Sequence, residues 1–214
     1  MLTVSLGGGW GDCMAAAAAI QYKARNEKQQ IAFDGPHSME PILKNHPDIV
    51  FGDGKGDYYQ DLKWASQYHE NIWHLHIKQK YSYQLGFFID PTYTVDIFDE
   101  SGEVISCDES EKHVLINSMS SLPSKRAIPM EIIERVIVPT LLEQGYTYEF
   151  IGSHHDHSDS DIASCIQKIR KSKLFIGPIS GMAFLAEALG IPRMIFCSSV
   201  PYFKDMSFEK LTPI

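Results

Sequence analysis

A glycine-rich stretch that ends in an aspartate lies close to the amino terminus. The sequence GGGWGDCMAAAAAI, residues 7–20, places one carboxylate, Asp12, directly before a run of alanines. A carboxylate can act as a general base when an attacking hydroxyl comes within about 3 Å. The same sequence is also typical of a plain strand-to-helix turn, in which Asp12 would only stabilise the helix, and of a phosphate-binding loop.

The glycine spacing argues against a dinucleotide site. Gly7 and Gly9 match the first two glycines of the pattern GxGxxG, but Asp12 occupies the third position. A carboxylate there would repel a pyrophosphate, so a nicotinamide cofactor is disfavoured.

A second strand-to-helix junction lies near the carboxyl terminus, in FIGPISGMAFLAEALGIPRMIFCSS, residues 175–199. An apolar strand is predicted to end at Gly177, and a helix with small residues at its start follows. The first turn of a helix carries unpaired N–H groups and about half a positive charge, which suits a diphosphate. Ser180 is placed to cap this helix and to donate its hydroxyl to a phosphate, although an ordinary turn would have the same residues.

Other polar residues invite a metal interpretation that their spacing does not favour. The segment SHHDHSDSD, residues 153–161, is rich in His and Asp, but adjacent residues of one loop rarely converge on one ion. The histidines of HENIWHLH lack the spacing of a helical zinc pair and are interpreted as surface or groove residues. The four cysteines form no CxxC pair, which predicts reduced thiols; Cys13, beside Asp12, could have a lowered pKa or simply pack as a small residue.

Composition sets broader limits. The chain has 214 residues, 44% hydrophobic and 21% charged, and a net charge of -8. This acidity disfavours a broad electrostatic grip on nucleic acid, and no apolar segment approaches the roughly 20 residues of a membrane span. We therefore expect a cytoplasmic protein without a membrane-spanning segment.

Strand and helix signals alternate along most of the chain, which predicts an α/β protein with βαβ units and parallel sheets. A helix over residues 71–85 would place Trp73, Ile77 and Tyr81 on one packed face. An acidic, turn-prone segment at residues 99–112 predicts a boundary that divides the chain into 1–105 and 106–214. The predicted strands are residues 2–6, 31–35, 48–52, 113–117, 146–152, 174–177 and 193–197; the other predicted helices follow residue 12 and cover about 38–46, 130–145 with a kink at Pro139, 160–172 and 181–190.

Four blocks together resemble the ADP-heptose:lipopolysaccharide heptosyltransferases, which are GT-B glycosyltransferases. The blocks are GGWGD (8–12), VLINSMSSLPSKRAIPMEIIERV (114–136), YTYEFIGSHHD (146–156) and the junction at 175–199. Their order agrees with the family over most of the chain, thinning between residues 55 and 112. The resemblance implies two Rossmann-type domains that face a central cleft, with the acceptor on the first and a nucleoside diphosphate sugar on the second.

The resemblance also assigns roles to particular residues. Asp12 matches the general base of an inverting transfer, and Lys125 matches the lysine that holds the donor phosphate. Gly8, Gly9, Trp10 and Gly11 would form the acceptor-side loop, and the donor side would comprise Ser120, Ser121, Lys125, Gly152, Ser180, Gly181 and Met182. A lysine and a helix N-terminus can replace a divalent cation at the leaving group, so we expect no cofactor and no metal.

Two departures from the family leave alternatives open. Ile179 replaces the aspartate that contacts the donor sugar, so the sugar is not assigned, and the chain is shorter than usual members. The acceptor could be a saccharide. It could instead be a modified nucleic-acid base, as for viral DNA glycosyltransferases, because HIKQKYSYQ (76–84) mixes lysines with aromatics. A nucleotide- or partner-binding module without turnover is a third alternative.

Overall fold

The computed structural model describes residues 1–52, 58–62, 75–108, 112–118, 127–152 and 162–196. Residues 1–105 form one compact unit, and the described residues from 106 onward belong to a second. Each unit contains one four-stranded sheet in which every pair of neighbouring strands is parallel. The prediction of parallel α/β architecture is therefore confirmed.

The sheet of the first unit has the order β3-β2-β1-β4. Its strands are β1 (Leu2–Ser5), β2 (Ile31–Asp34), β3 (Ile49–Phe51) and β4 (Tyr58–Asp61). The first three were predicted from their apolar runs. The sequence gives no such signal for β4, because this edge strand reads YYQD and its side chains are mostly exposed. Its parallel pairing with β1, from Leu2 with Tyr58 to Ser5 with Asp61, defines it instead.

The helices of the first unit are α1 (Trp10–Glu27), a 3-10 turn (His37–Met39), α2 (Glu40–Leu43) and α3 (Ile77–Gln84). The alanine run lies inside α1, where Cys13 to Gln21 are all buried. α1 packs on both β2 and α3, and alanine side chains allow the backbones to approach closely on both sides. The alanine-rich segment predicted a helix to about Lys23. α1 extends about one turn further, to Glu27, and stops at Lys28 in the left-handed conformation.

α3 is shorter than predicted, and Trp73 lies outside the described residues. Ile77 and Tyr81 are buried as expected. His76, interpreted from the sequence as a surface or groove residue, is not on the exposed surface: it is 6% exposed, and its Nδ1 accepts a hydrogen bond from the backbone N–H of Lys78. His76 thereby caps α3, and Gln79 completes the capping box by accepting from the His76 backbone N–H.

The sheet of the second unit has the order β6-β5-β7-β8. Its strands are β5 (His113–Ile116), β6 (Thr147–Phe150), β7 (Leu174–Pro178) and β8 (Arg193–Phe196), all close to their predicted positions. Helix α4 (130–143) covers this sheet, since Ile133, Ile137 and Leu141 pack with residues of β5 and β7. The remaining helices are α5 (Ile162–Arg170) and α6 (Gly181–Ala188).

The predicted kink at Pro139 takes the form of a π-helical turn. α4 is helical at Met130–Ile132, π-helical at Ile133–Ile137 and α-helical again at Val138–Glu143. Proline cannot donate to the carbonyl four residues earlier, and its ring crowds that turn. A wider turn immediately before Pro139 lets the helix continue to its predicted end before Gly145, whose φ is +74°.

Among the described helices, none has the length and apolarity required to cross a membrane.

Candidate functional site

Asp12 lies at the carboxyl end of the first sheet, on the first turn of α1. It is the third residue of the helix and is half-buried. Its Oδ1 accepts a hydrogen bond of 2.6 Å from the hydroxyl of Tyr81, which is fully buried on α3. The carboxylate is therefore held by a side chain from another helix as well as favoured by the positive end of its own helix.

Tyr81 is a site residue that the sequence did not reveal. Its helical spacing from Ile77 predicted core packing, which is correct for the ring. Tyrosine hydroxyls usually find a hydrogen-bond partner when buried. This rule was available from the sequence, but the identity of the partner, 69 residues away, was not.

The glycine loop before Asp12 is open. A methyl group added at Gly7 or Gly9 would meet no atom of the chain within 4 Å. None of the loop glycines from Gly7 to Gly11 has a positive φ. Neither packing nor backbone conformation therefore demands glycine at Gly7 or Gly9, which is the condition expected where another molecule approaches.

Trp10 and Cys13 flank the carboxylate. Trp10 begins α1, and its Nε1 donates a hydrogen bond of 2.9 Å to the Oγ of Ser38. The suggestion of a lowered Cys13 pKa was wrong: burial, with a further contribution from the Asp12 charge, raises its pKa to about 12. Cys13 is fully buried, so its role is packing.

The second junction brings Ser180, Gly181 and Met182 together at the start of α6. Ser180 occupies the N-cap position, but its side chain makes no capping hydrogen bond, contrary to prediction. Its Oγ instead lies 3.5 Å from the Nδ2 of Asn117, a buried residue directly after β5. The first turn of α6 contains no acidic residue. Its positive end is therefore not neutralised from within that turn, which suits an anion.

Asn117 also explains two glycines of the second unit. Gly152 has a φ of +108°, and a methyl group there would lie 3.1 Å from the Oδ1 of Asn117. A methyl group at Gly177 would lie 2.8 Å from the ring of Phe175 and 3.2 Å from the Cβ of Asn117. Packing around Asn117 therefore favours glycine at both positions. No sequence signal indicated that Asn117, directly after β5, lies beside Gly152 and Gly177.

Several predicted residues cannot be placed. Ser120, Ser121, Lys125 and the His-rich segment 153–161 lie outside the described residues. Within the described part of the chain, no group of three His, Cys, Asp or Glu side chains could hold a metal ion. Ile179, which replaces the family aspartate, is 4% exposed and is therefore a buried apolar residue.

The segment HIKQKYSYQ does not form the basic, aromatic surface that the nucleic-acid alternative needs. Lys78 is 2% exposed, and its Nζ donates to the carbonyl of Pro91. Tyr81 is fully buried and bonded to Asp12. Tyr83 is exposed, but its ring packs beside Phe88.

Two parallel α/β units with polar residues at the carboxyl ends of their strands define a GT-B-like α/β protein with Rossmann-type domains. The sequence matches no protein-family model, and no curated protein is similar to it at a significant level. Solved structures do match. One is the bacterial iron-containing dodecameric glycosyltransferase TibC of enterotoxigenic E. coli H10407, with a TM-score of 0.71, 18% identity, and coverage of 94% of this chain and 59% of TibC. TibC is also known in complex with ADP-D-β-D-heptose.

Two further structures are similar over most of both chains. The E. coli ADP-heptose lipopolysaccharide heptosyltransferase II has a TM-score of 0.72 and 12% identity, with coverage of 98% of this chain and 89% of that one. A glycosyl transferase family 9 protein of Veillonella parvula DSM 2008 has a TM-score of 0.68 and 12% identity, with coverage of 93% and 81%. At these identities the likeness establishes the fold, which is the one that the sequence resemblance implied. The chain spans less than two thirds of the length of TibC.

Proposed function

We propose that the protein is an inverting glycosyltransferase in which Asp12 is the general base. The observation that carries this proposal is the position of Asp12: a half-buried carboxylate on the first turn of α1, beside an open glycine loop, in a heptosyltransferase-like fold. A carboxylate that only stabilised the helix dipole would need neither the open loop nor a buried partner.

In the proposed reaction, the acceptor hydroxyl gives its proton to Asp12 as its oxygen forms a bond to the anomeric carbon of the sugar. The bond between that carbon and the phosphate oxygen breaks, and the nucleoside diphosphate leaves with the electron pair. Negative charge grows on the leaving group, so stabilisation there lowers the barrier. The start of α6, with the N–H groups of Gly181 and Met182, is the proposed phosphate site, together with Lys125.

The proposed donor is a nucleoside diphosphate sugar. Support comes from the N-terminus of α6, whose first turn has no acidic residue, and from the ADP-D-β-D-heptose bound by TibC. Because Ile179 is apolar and buried where the family has an aspartate, we leave heptose as one candidate among other sugars. The acceptor is a hydroxyl compound, and burial of Lys78 and Tyr81 favours a saccharide over a nucleic-acid base.

Metal independence is part of the proposal. Lys125 and the N-terminus of α6 supply positive charge where other glycosyltransferases would use a divalent cation. We therefore expect turnover to survive dialysis against EDTA, and a loss of turnover that added divalent metal restores would contradict this point.

The proposal is tested by thermal-shift screening against nucleoside diphosphates and their sugars, followed by measurement of nucleoside diphosphate release with saccharide and DNA acceptors. We expect a shift with at least one nucleoside diphosphate and release that depends on an acceptor. A shift without product under any acceptor would indicate a binding module instead. Product formed only with DNA, with a steep salt dependence of binding, would indicate the nucleic-acid alternative.

A further inference from the structure

The hydrogen bond between Tyr81 and Asp12 joins two helices of the first unit at the proposed base. The tyrosine ring is fully buried, and its hydroxyl donates to Oδ1 at 2.6 Å. A hydrogen bond to a charged acceptor is stronger than one between neutral groups. The contact therefore restricts the orientation of the carboxylate more than a hydrogen bond between two neutral groups would.

The surroundings of Tyr81 fix its hydroxyl in space. The amino end of α3 is held by the capping box of His76 and Gln79. Lys78 donates to the carbonyl of Pro91, and the Oγ of Ser82 accepts from the backbone N–H of Ile89. The segment after α3 is thus tied back to the helix on both sides of Tyr81, so the tyrosine provides a rigid reference for Asp12.

We propose that Tyr81 is a positioning residue for catalysis: its hydroxyl holds the carboxylate of Asp12 in the orientation that receives the proton of the acceptor. This inference rests on the proposed function. Tyr81 keeps its own proton throughout, and the proton of the acceptor moves to Asp12.

The first experiment replaces Tyr81 by phenylalanine, which retains the ring and removes only the hydroxyl. We expect kcat to fall about tenfold, because small displacements of a catalytic group are costly. The KM of the donor sugar should stay within twofold, since the donor is proposed to bind the second unit. Tyr83→Phe removes the hydroxyl of an exposed tyrosine on the same helix and should leave kcat unchanged.

A double-mutant cycle separates positioning from a general loss of stability. If Tyr81 acts through Asp12, Tyr81→Phe should lower turnover by less than twofold in the Asp12→Asn background. Equal losses in both backgrounds would overturn the proposal. Ile42→Val serves as the stability control, because it removes one buried methyl group from α2 and no hydrogen bond of α3.

The outcomes also distinguish this inference from the proposed function. Unchanged kcat in Tyr81→Phe, with an active wild-type protein, would overturn the role of Tyr81 and leave the glycosyltransferase proposal intact. A wild-type protein without turnover on any nucleotide sugar would overturn both. A tenfold loss in Tyr81→Phe that Ile42→Val reproduces at equal destabilisation would identify a purely structural tyrosine.

Discussion

The β1–α1 and β7–α6 junctions are built alike but have opposite electrostatic character. Each leads from the carboxyl end of a parallel strand into a helix, with glycines in or beside the connection. At the first junction, Asp12 on the first turn opposes the positive end of α1. At the second, the first turn of α6 has no acidic residue, and the N-cap hydroxyl of Ser180 is not used for capping.

The glycines of the two junctions differ as well. Gly7 and Gly9 face open space, whereas Gly177 is packed against Phe175 and Asn117. The first junction therefore has free space beside Gly7 and Gly9, and the second is filled by side chains of its own unit at Gly177. This difference supports a neutral acceptor hydroxyl next to a base at the first junction and a phosphate at the second.

The largest expected effect is at the first junction. Asp12→Asn should lower turnover by about 10²-fold or more, the size of a general-base contribution, and leave binding of the nucleoside diphosphate unchanged. Steady-state kinetics and calorimetry measure the two effects. Asp34→Asn is the matched control, because it removes a carboxylate from the end of the neighbouring strand β2. Full activity of Asp12→Asn would reject Asp12 as the base.

The next largest effect is expected when the second junction receives a carboxylate like that of the first. Ser180→Asp should weaken nucleoside diphosphate binding about tenfold or more, because a carboxylate near the phosphates repels them. Ser180→Asn has nearly the same shape without the charge and should bind within a few-fold of the wild type. Both replacements are favoured N-cap residues, so both variants should fold. Equal affinities of the two variants would place the phosphates elsewhere.

Stability should distinguish the glycines. Gly177→Ala should lower the free energy of unfolding by about 1–3 kcal/mol, since its methyl group overlaps the buried ring of Phe175. Gly7→Ala should change it by no more than about 0.5 kcal/mol. Denaturant unfolding of the two variants tests the contrast, and a large destabilisation by Gly7→Ala would show that the first loop packs more tightly than the structure indicates.

The smallest effect concerns Cys13. Burial and the Asp12 charge raise its pKa to about 12, so the thiol is protonated at all pH values well below that. In a Cys197→Ser variant at pH 8.5, iodoacetamide should modify the exposed Cys107 and spare Cys13. Mass spectrometry locates the label. Rapid labelling of Cys13 would indicate a positive field at the start of α1, as expected at the start of α6.

Most of the fold could be predicted from the sequence, because buried parallel strands are short apolar runs bounded by turn residues. Of the eight strands among the described residues, seven were predicted, and one of these, the edge strand β6, is partly exposed and was recognised within the segment YTYEFIG. β4 was not predicted, since an exposed edge strand is defined by its hydrogen bonds to β1 and not by its composition. The capping of α3 by His76 was missed for a different reason, since histidine is not a usual N-cap residue.

By itself, the sequence determined where the two strand-to-helix junctions lie. It also determined that the first junction carries a carboxylate and the second does not, because these features depend on residues adjacent in the chain. Only the tertiary structure decided that Tyr81 holds Asp12 and that Asn117 contacts Ser180. Each of these contacts joins residues more than 60 positions apart. Hydrophobic periodicity indicates that a side chain is buried. Which polar atom then bonds to the hydroxyl or amide of that side chain depends on how separate helices and strands pack.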